Sequence, residues 1–293
     1  MSEIDRQQSR LDNIESVEPI LAAMKTISMG SQQAALNQKA RVKSYLSKLS
    51  QIQSFVLYNL KGENKAAFSQ RELISPSNRV VVMAIGSERG LCGQFNRLVF
   101  NAAVDQVTKI RQEDKQVELW VLGKRLLRLF QSAKIHVSWF ESLSITSLPS
   151  YPLAVRLSWD WINRFESAQL DQVDLVFYSR KGKQLETLIP IQRQGPQDSY
   201  AEMEEEWLHP IIETDSIHLI QRIMEQVVIS HMYSCLLDSA AAEHTARFRL
   251  MDEATQNSAR LIEELQMELL TSKRQIVTRE MQELAVGAGL LKR

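Results

Sequence analysis

No proline follows Pro210, and no glycine lies between Gly195 and Gly287. The stretch between them is rich in Ala, Leu, Met, Glu, Gln and Arg, so nothing breaks a helix and most residues favour one. The sequence therefore predicts a continuous helix from about Thr214 to Val286. Thr214-Asp215-Ser216 supplies N-cap residue types. Gly287 and Gly289 stand where C-terminal caps belong, with Lys292 and Arg293 beyond them. At 1.5 Å per residue such a helix is on the order of 100 Å long. No compact core requires that length. The helix has to lie against another long helix or inside a partner.

Its apolar stripe is narrow. Met251, Ala254, Ser258, Leu261 and Leu265 alternate steps of three and four, and Leu269 and Ile276 continue the line, which is the pattern of a two-helix seam. Ala240, Ala241 and Ala246 permit close approach by a second helix. That helix is predicted at the other end of the chain. Ile14, Val17, Leu21 and Met24 repeat the spacing, as do Val42, Leu46, Leu49 and Val56. Ser2 and Asp5 make a capping-box-like start. Pro19 either kinks this helix or marks a first turn, since it lacks an N–H and crowds the preceding turn. The expected organisation is an N-terminal arm over 1–60 and a C-terminal arm over 211–290. They should pair antiparallel, with the Leu21 region opposite Leu265 to Ile276.

Residues 78–195 have a different texture. Arg79 to Ile85 is a buried-strand run. Val117–Leu122, Ile135–Phe140, Asp174–Tyr178 and Leu185–Gln192 supply further strand candidates. Helical patterns over Gln94–Arg111, Lys124–Ser132 and Leu153–Ser167 separate the early ones, so a small sheet with crossover connections is expected. Lys61 to Asn64 is turn-like, and Gln194 to Glu206 is a polar, acidic linker. The fold class is α/β: a long antiparallel coiled coil of terminal helices plus a small Rossmann-like domain.

Acidic and basic residues balance to a net charge of zero, which argues against a nucleic-acid binder with its basic stripe. Cys92 and Cys235 form no CxxC pattern and look like reduced thiols. The acidic start, Met1 to Asp5, is unlike a signal or transit peptide. The longest apolar run, Val80 to Ile85, is too short to span a bilayer. Any membrane association has to come through partners.

Few features point to catalysis. Gly86-Ser-Glu-Arg-Gly90-Leu-Cys-Gly93 lies between a strand and a helix, as a phosphate loop does. It is neither GxGxxG nor GxxxxGK[ST], and backbone geometry is the simpler reason for its glycines. Gly-x-Ser-x-Gly is absent. His136, His209, His218, His231 and His244 show no metal-ligand spacing with each other or with a cysteine, and are expected to be solvated or capping. No catalytic residue, cofactor or metal is expected.

Ser87-Glu-Arg-Gly-Leu-Cys-Gly-Gln-Phe-Asn96 resembles a segment of the gamma subunit of F-type ATP synthases. So do Ala242-Glu-His-Thr-Ala-Arg247, Met251 to Asn257, Leu261 to Gln266, Ile276 to Glu283 with Gly287-Ala288, and near the start Ile14 to Val17 with Ile20 to Met24. The resemblance covers almost the whole chain in the family's order. It implies a non-catalytic rotor shaft inside an alpha3-beta3 hexamer, standing with an epsilon subunit on a membrane ring of c subunits. It also implies a peripheral place at the cytoplasmic face of a bacterial inner membrane, or of a thylakoid. By the same resemblance, Met24, Lys25, Lys273, Arg274 and Thr278 would contact beta. Arg89, Gly90, Leu91, Cys92, Gly93 and Glu213 would form the foot toward the c ring and epsilon.

The chain departs from the family in places. Ala23 to Gln33 has lost most of the family's basic residues, Lys25 replaces an acid, Lys273-Arg274 replaces an Arg-Gln pair, and Ile212 stands where the family has tyrosine. The cysteine-bearing insertion of the chloroplast type is absent, so thiol regulation is not implied. These departures look like those of a divergent bacterial branch, such as the gamma-like subunit of an alternative second ATPase. Two other readings stay open on the residues alone. One is a free-standing coiled-coil scaffold with an α/β head, and the other is a nucleotide-binding enzyme using Gly86 to Gly93.

Overall fold

The computed structural model describes residues 3–59, 78–190 and 215–287. Its elements run α1 (Glu3–Asn59), β1 (Arg79–Ile85), α2 (Phe95–Gln112), β2 (Gln116–Leu122), α3 (Lys124–Ser132), β3 (Trp139–Glu141), α4 (Tyr151–Glu166), β4 (Gln172–Ser179), β5 (Gly182–Ile189) and α5 (Ser216–Gly287). Contacts divide the chain into two compact units. The larger is Gly30–Ala246; the smaller joins Met1–Met29 to Arg247–Arg293. Both long helices therefore contribute to both units.

In the larger unit the five strands lie in the order β3-β2-β1-β4-β5. β1 pairs in parallel with both β2 and β4, β3 adds in parallel to β2, and β5 closes the other side antiparallel to β4. β1 is apolar from Val80 to Ile85 because both its faces are covered there. Val81, Met83 and Ile85 face a cluster holding Leu157 and Trp161 of α4 and Met232 and Leu236 of α5. Val80, Val82 and Ala84 face Phe95, Val99 and Ala103 of α2 and Leu126 and Phe130 of α3. Trp120 stacks on Trp139 with ring centroids 4.7 Å apart.

The third strand is shorter than the expected Ile135–Phe140. The Ile135 N–H donates to the Phe130 carbonyl at the end of α3, and only from the Ser138 N–H, which donates to Leu119, does the chain join β2. The fifth strand starts earlier than expected, at Gly182, directly after a tight turn from Ser179. Its expected last residues, Ile191 and Gln192, lie outside the described residues, as do Ser2, Gly289 and the segments Lys61–Asn64 and Gln194–Glu206. The α5 N-terminus is capped by Asp215, whose Oδ1 accepts from the Ile217 N–H at 3.3 Å.

The small residues of α5 serve the sheet. Ala242 and Ala246 pack into the cluster on the α2–α3 side. The Ser239 hydroxyl donates to the Ile85 carbonyl at the end of β1, at 3.4 Å. On α1 of this unit, Lys39 pairs with Asp238 at 2.8 Å, the Gln53 amide reaches the Met224 sulfur at 3.0 Å, and Val56 is buried with Ile220 and Ile223. Index rises on one helix as it falls on the other, so the pairing is antiparallel.

The smaller unit is a two-helix seam. Leu11, Leu265 and Leu269 are buried together, flanked by Ile4, Ile14 and Ile262. Gln7 reaches Glu268, Gln266 reaches Glu15, and Lys25 pairs with Asp252 at 2.6 Å. This pairing too is antiparallel, but its register corrects the expected one: Leu11, not the Leu21 region, lies against Leu265 and Leu269. The α5 seam also shifts by one residue. Leu261 is exposed and Ile262 takes its place, so the line runs Met251, Thr255, Ser258, Ile262, Leu265, Leu269. Ile276 is exposed as well, because no described residue of α1 lies opposite it. On α1 the strict three-four step puts Pro19 and Val17 on the exposed side. There water can satisfy the carbonyl that proline leaves unpaired, and the helix runs on through Pro19.

Candidate functional site

The turn after β1 is built from its glycines inward. A Cβ on Gly86 would lie 2.4 Å from the Leu126 Cβ, and one on Gly123 would lie 2.6 Å from the Ser87 carbonyl oxygen. The two turns that end β1 and β2 thus touch backbone to backbone. Ser87 N–H donates to the Asn96 Oδ1 at 2.9 Å, the Asn96 amide returns a bond to the Ser87 hydroxyl at 2.8 Å, and that hydroxyl donates to the Arg89 carbonyl at 2.7 Å. Cys92 is buried beneath, its sulfur 3.3 Å from the Asn96 amide nitrogen. The N–H that a phosphate loop would aim outward is engaged inside. The crevice between β1 and β4, where a doubly wound sheet binds ligands, has α5 across its end through Ser239. Arg89, Leu91, Gly93 and Gln94 form the exposed tip, with Leu91 55% exposed.

Glu88 ties this tip to its neighbours. Its Oε2 accepts from the backbone N–H groups of Lys124 and Leu143, both at 3.1 Å, and its Oε1 faces the Lys124 ammonium at 3.1 Å. Burial pushes the carboxyl upward. The hydrogen bonds from Lys124 and Leu143 and the Lys124 charge outweigh it and hold the group below its ordinary value of 4.5. A depressed carboxyl stabilises the fold fully above the unfolded value, and that contribution is lost as pH falls through the folded one. Glu88→Gln is therefore expected to lower stability by about 1.5–3 kcal/mol at neutral pH and to flatten the acid limb below pH 4.5. Urea midpoints across pH check it. An acid limb as steep in the variant as in the wild type would refute this role.

The second surface is on the smaller unit. Beyond Leu269 nearly every α5 residue is exposed. At 100° per residue, Met267, Leu270, Val277, Met281 and Leu284 fall on one side of the helix, and Lys273, Arg274 and Thr278 flank them within an arc of roughly 140°. These apolar side chains are 52 to 73% exposed. Exposed large apolar residues aligned in a row mark an interaction face.

Comparison with known proteins identifies the family. The ATP synthase family (ATP-synt) matches residues 3–291. The chain belongs to the ATP synthase family. Similar curated relatives are ATP synthase gamma chains: that of Trichlorobacter lovleyi is 23% identical over the full length of both chains. That of Roseobacter denitrificans is 27% identical over 97% of this chain and 98% of its own. The fold is like that of a chain in the Euglena gracilis mitochondrial ATP synthase OSCP/F1/c-ring structure, with TM-score 0.60, 11% identity, and 99% of this chain and 96% of that chain covered. A chain of the Tetrahymena thermophila central stalk/c-ring structure matches at TM-score 0.50 and 18% identity, over 80% of this chain and 99% of its own.

For an ATP synthase family chain, the residues singled out in the sequence divide unevenly. Arg89, Gly90, Leu91 and Gly93 share the β1–α2 tip, but the Cys92 side chain is buried under it. Glu213 lies outside the described residues. Lys273 and Arg274 are exposed and without an ion pair among the described residues, whereas the Thr278 hydroxyl donates to the Arg274 carbonyl at 2.8 Å. Lys25 is held by Asp252 and lies over the Phe248 ring at 5.8 Å; Met24 is half-buried beside it. Lys25 thus serves the seam of this chain.

Among the described residues, His231 departs from the expectation for the histidines. His136 is exposed and His218 pairs with the capping Asp215, while His209 lies outside the described residues. His231, however, is bonded to Glu186 at 2.6 Å, and Cys235, one helical turn on, donates to the same carboxylate oxygen at 3.3 Å. The spacing of His231 and Cys235 was the available signal, and the expectation of no cysteine at ligand spacing overlooked it. Among the described residues no helix is long and apolar enough to cross a membrane.

Proposed function

We propose that this chain is the gamma-type central shaft of a rotary ATP synthase. It couples rotation of a membrane c ring to nucleotide turnover on an alpha3-beta3 hexamer and contributes no catalytic residue. The observation that carries this reading is the exposed apolar row from Met267 to Leu284. A helix end carrying such a row and uncovered by the described residues of its own chain calls for an enclosing partner. Lys273 and Arg274, beside the row, would meet polar or acidic groups of beta. The tip at Arg89, Leu91 and Gly93 would be the foot toward the c ring and epsilon, at the cytoplasmic face of the membrane. The shaft acts by contacting successive beta states differently, since only a differential interaction can shift their nucleotide affinities.

Purification from the native membrane tests it. The chain should travel with alpha, beta, epsilon and c subunits in one ATP-hydrolysing assembly. A stable self-associated species free of those subunits would favour a coiled-coil scaffold instead.

A further inference from the structure

Away from both surfaces, the larger unit holds one group of three metal-ligating side chains among the described residues: Glu186, His231 and Cys235, with ligand atoms all within 4.8 Å of one another. Glu186 comes from β5, the edge strand; His231 and Cys235 come from successive turns of one face of α5. The carboxylate oxygen is the hub, 2.6 Å from the imidazole Nε2 and 3.3 Å from the sulfur. We propose that this cluster binds a divalent cation of the zinc class, which joins the edge strand β5 to the long helix α5.

The donor set selects the cation. Thiolate, imidazole and carboxylate together suit zinc, whereas magnesium and calcium want oxygen alone. Three protein ligands with a fourth position open to water is an ordinary zinc arrangement. Bonds of about 2.0–2.3 Å require the donors to draw closer than they stand. The half-exposed His231 ring, with its side chain 44% exposed, is free to turn for that. The Cys235 sulfur is buried against Glu186, with the Lys39–Asp238 pair nearby. Burial and the adjoining carboxylate keep the thiol protonated in the absence of a cation. Binding releases that proton to solvent and forms the metal–sulfur bond; the His231 Nε2 gives up its bond to Glu186, its proton passing to Nδ1 by exchange with solvent, and offers its lone pair to the cation.

The test titrates the metal-stripped full-length chain with Cd²⁺ and follows thiolate-to-metal charge-transfer absorption, then competes with Zn²⁺. The expected band saturates at one equivalent, disappears in Cys235→Ser, and persists in Cys92→Ser. His231→Ala and Glu186→Gln should each weaken affinity by about tenfold or more, as loss of even an outer-shell group does. Zn²⁺ should displace Cd²⁺ and raise the thermal midpoint of the wild type but not of His231→Ala. That variant changes a half-exposed side chain and keeps the fold, which circular dichroism verifies. No saturable band in the wild type, or a band that survives Cys235→Ser, overturns the proposal. So does an affinity unchanged in His231→Ala.

Discussion

Gly123→Ala is expected to destabilise the larger unit by about 2–6 kcal/mol. Two costs combine. Gly123 sits at φ 93°, ψ 128°, outside the regions open to other residues. The new Cβ would also stand 2.6 Å from the Ser87 oxygen, 2.7 Å from the Ser87 carbonyl carbon and 3.0 Å from the Gly86 carbonyl carbon. These are backbone atoms and cannot rotate away. Moving Ser87 would strain its bond to Asn96 and the Arg125 N–H bond to its carbonyl, so the damage spreads through the β1–α2 tip. Gly93→Ala is the control. Its φ is 56°, but nothing lies within 4 Å of an added Cβ, so only the left-handed backbone cost of about 1–2 kcal/mol applies. Trp120, Trp139 and Trp161 all lie in this unit, and their fluorescence in urea reports its midpoint. Equal shifts in the two variants would show that the backbone contact between the turns is not the constraint.

That contact shows what was legible in the sequence. The glycines at 86, 90 and 93 drew notice because they follow a strand, and their role in backbone geometry could be anticipated. Gly123, the partner that fixes Gly86, ended a different strand, and nothing in local spacing joins the two. The parallel strands were readable because burial on both faces makes a continuous apolar run, as in Val80 to Ile85. The three-residue β3 was not, since hydrogen bonding at the end of α3 decides where pairing begins. The long helices were plain from the absence of breakers. Their register was not. Exposed Leu261 and half-buried Ile262 are adjacent apolar residues, and only the partner helix chooses between them. Lys25 shows the same limit: its partner, Asp252, lies far along the chain.

Sites made by distant elements escape a reading by spacing for the same reason. Glu88 was an ordinary loop acid until Lys124 and Leu143 supplied N–H groups to it. Glu186 belongs to an edge strand 45 positions before His231, so one of the three members of that cluster has no local sign.

The shaft reading makes its largest prediction at the end of α5. Met281 and Leu284 are 66% and 73% exposed and belong to the apolar row. In an enclosing hexamer they become buried anchors, and truncating such an anchor typically costs at least about 2 kcal/mol. A carboxylate there adds the cost of burying an unpaired charge. Met281→Asp with Leu284→Asp should therefore weaken association with alpha3-beta3 by roughly a hundredfold or more, and ATP hydrolysis by the reconstituted complex should fall with it. The chain alone should keep its urea midpoint to within about 0.5 kcal/mol, since surface changes seldom exceed that. Lys273→Ala with Arg274→Ala should lower turnover less, by the loss of charge-assisted hydrogen bonds worth about 1.5–3 kcal/mol. Arg279→Ala with Glu283→Ala is the matched control. That exposed pair, 3.0 Å apart, lies on the far side of the helix from the apolar row, and its loss should leave turnover nearly unchanged. Titration of labelled chain into alpha3-beta3, read beside steady-state hydrolysis, separates the outcomes. Undiminished association of the double aspartate variant would mean the row meets no partner. Equal loss in the control would mean the helix is gripped all round and its asymmetry lies elsewhere.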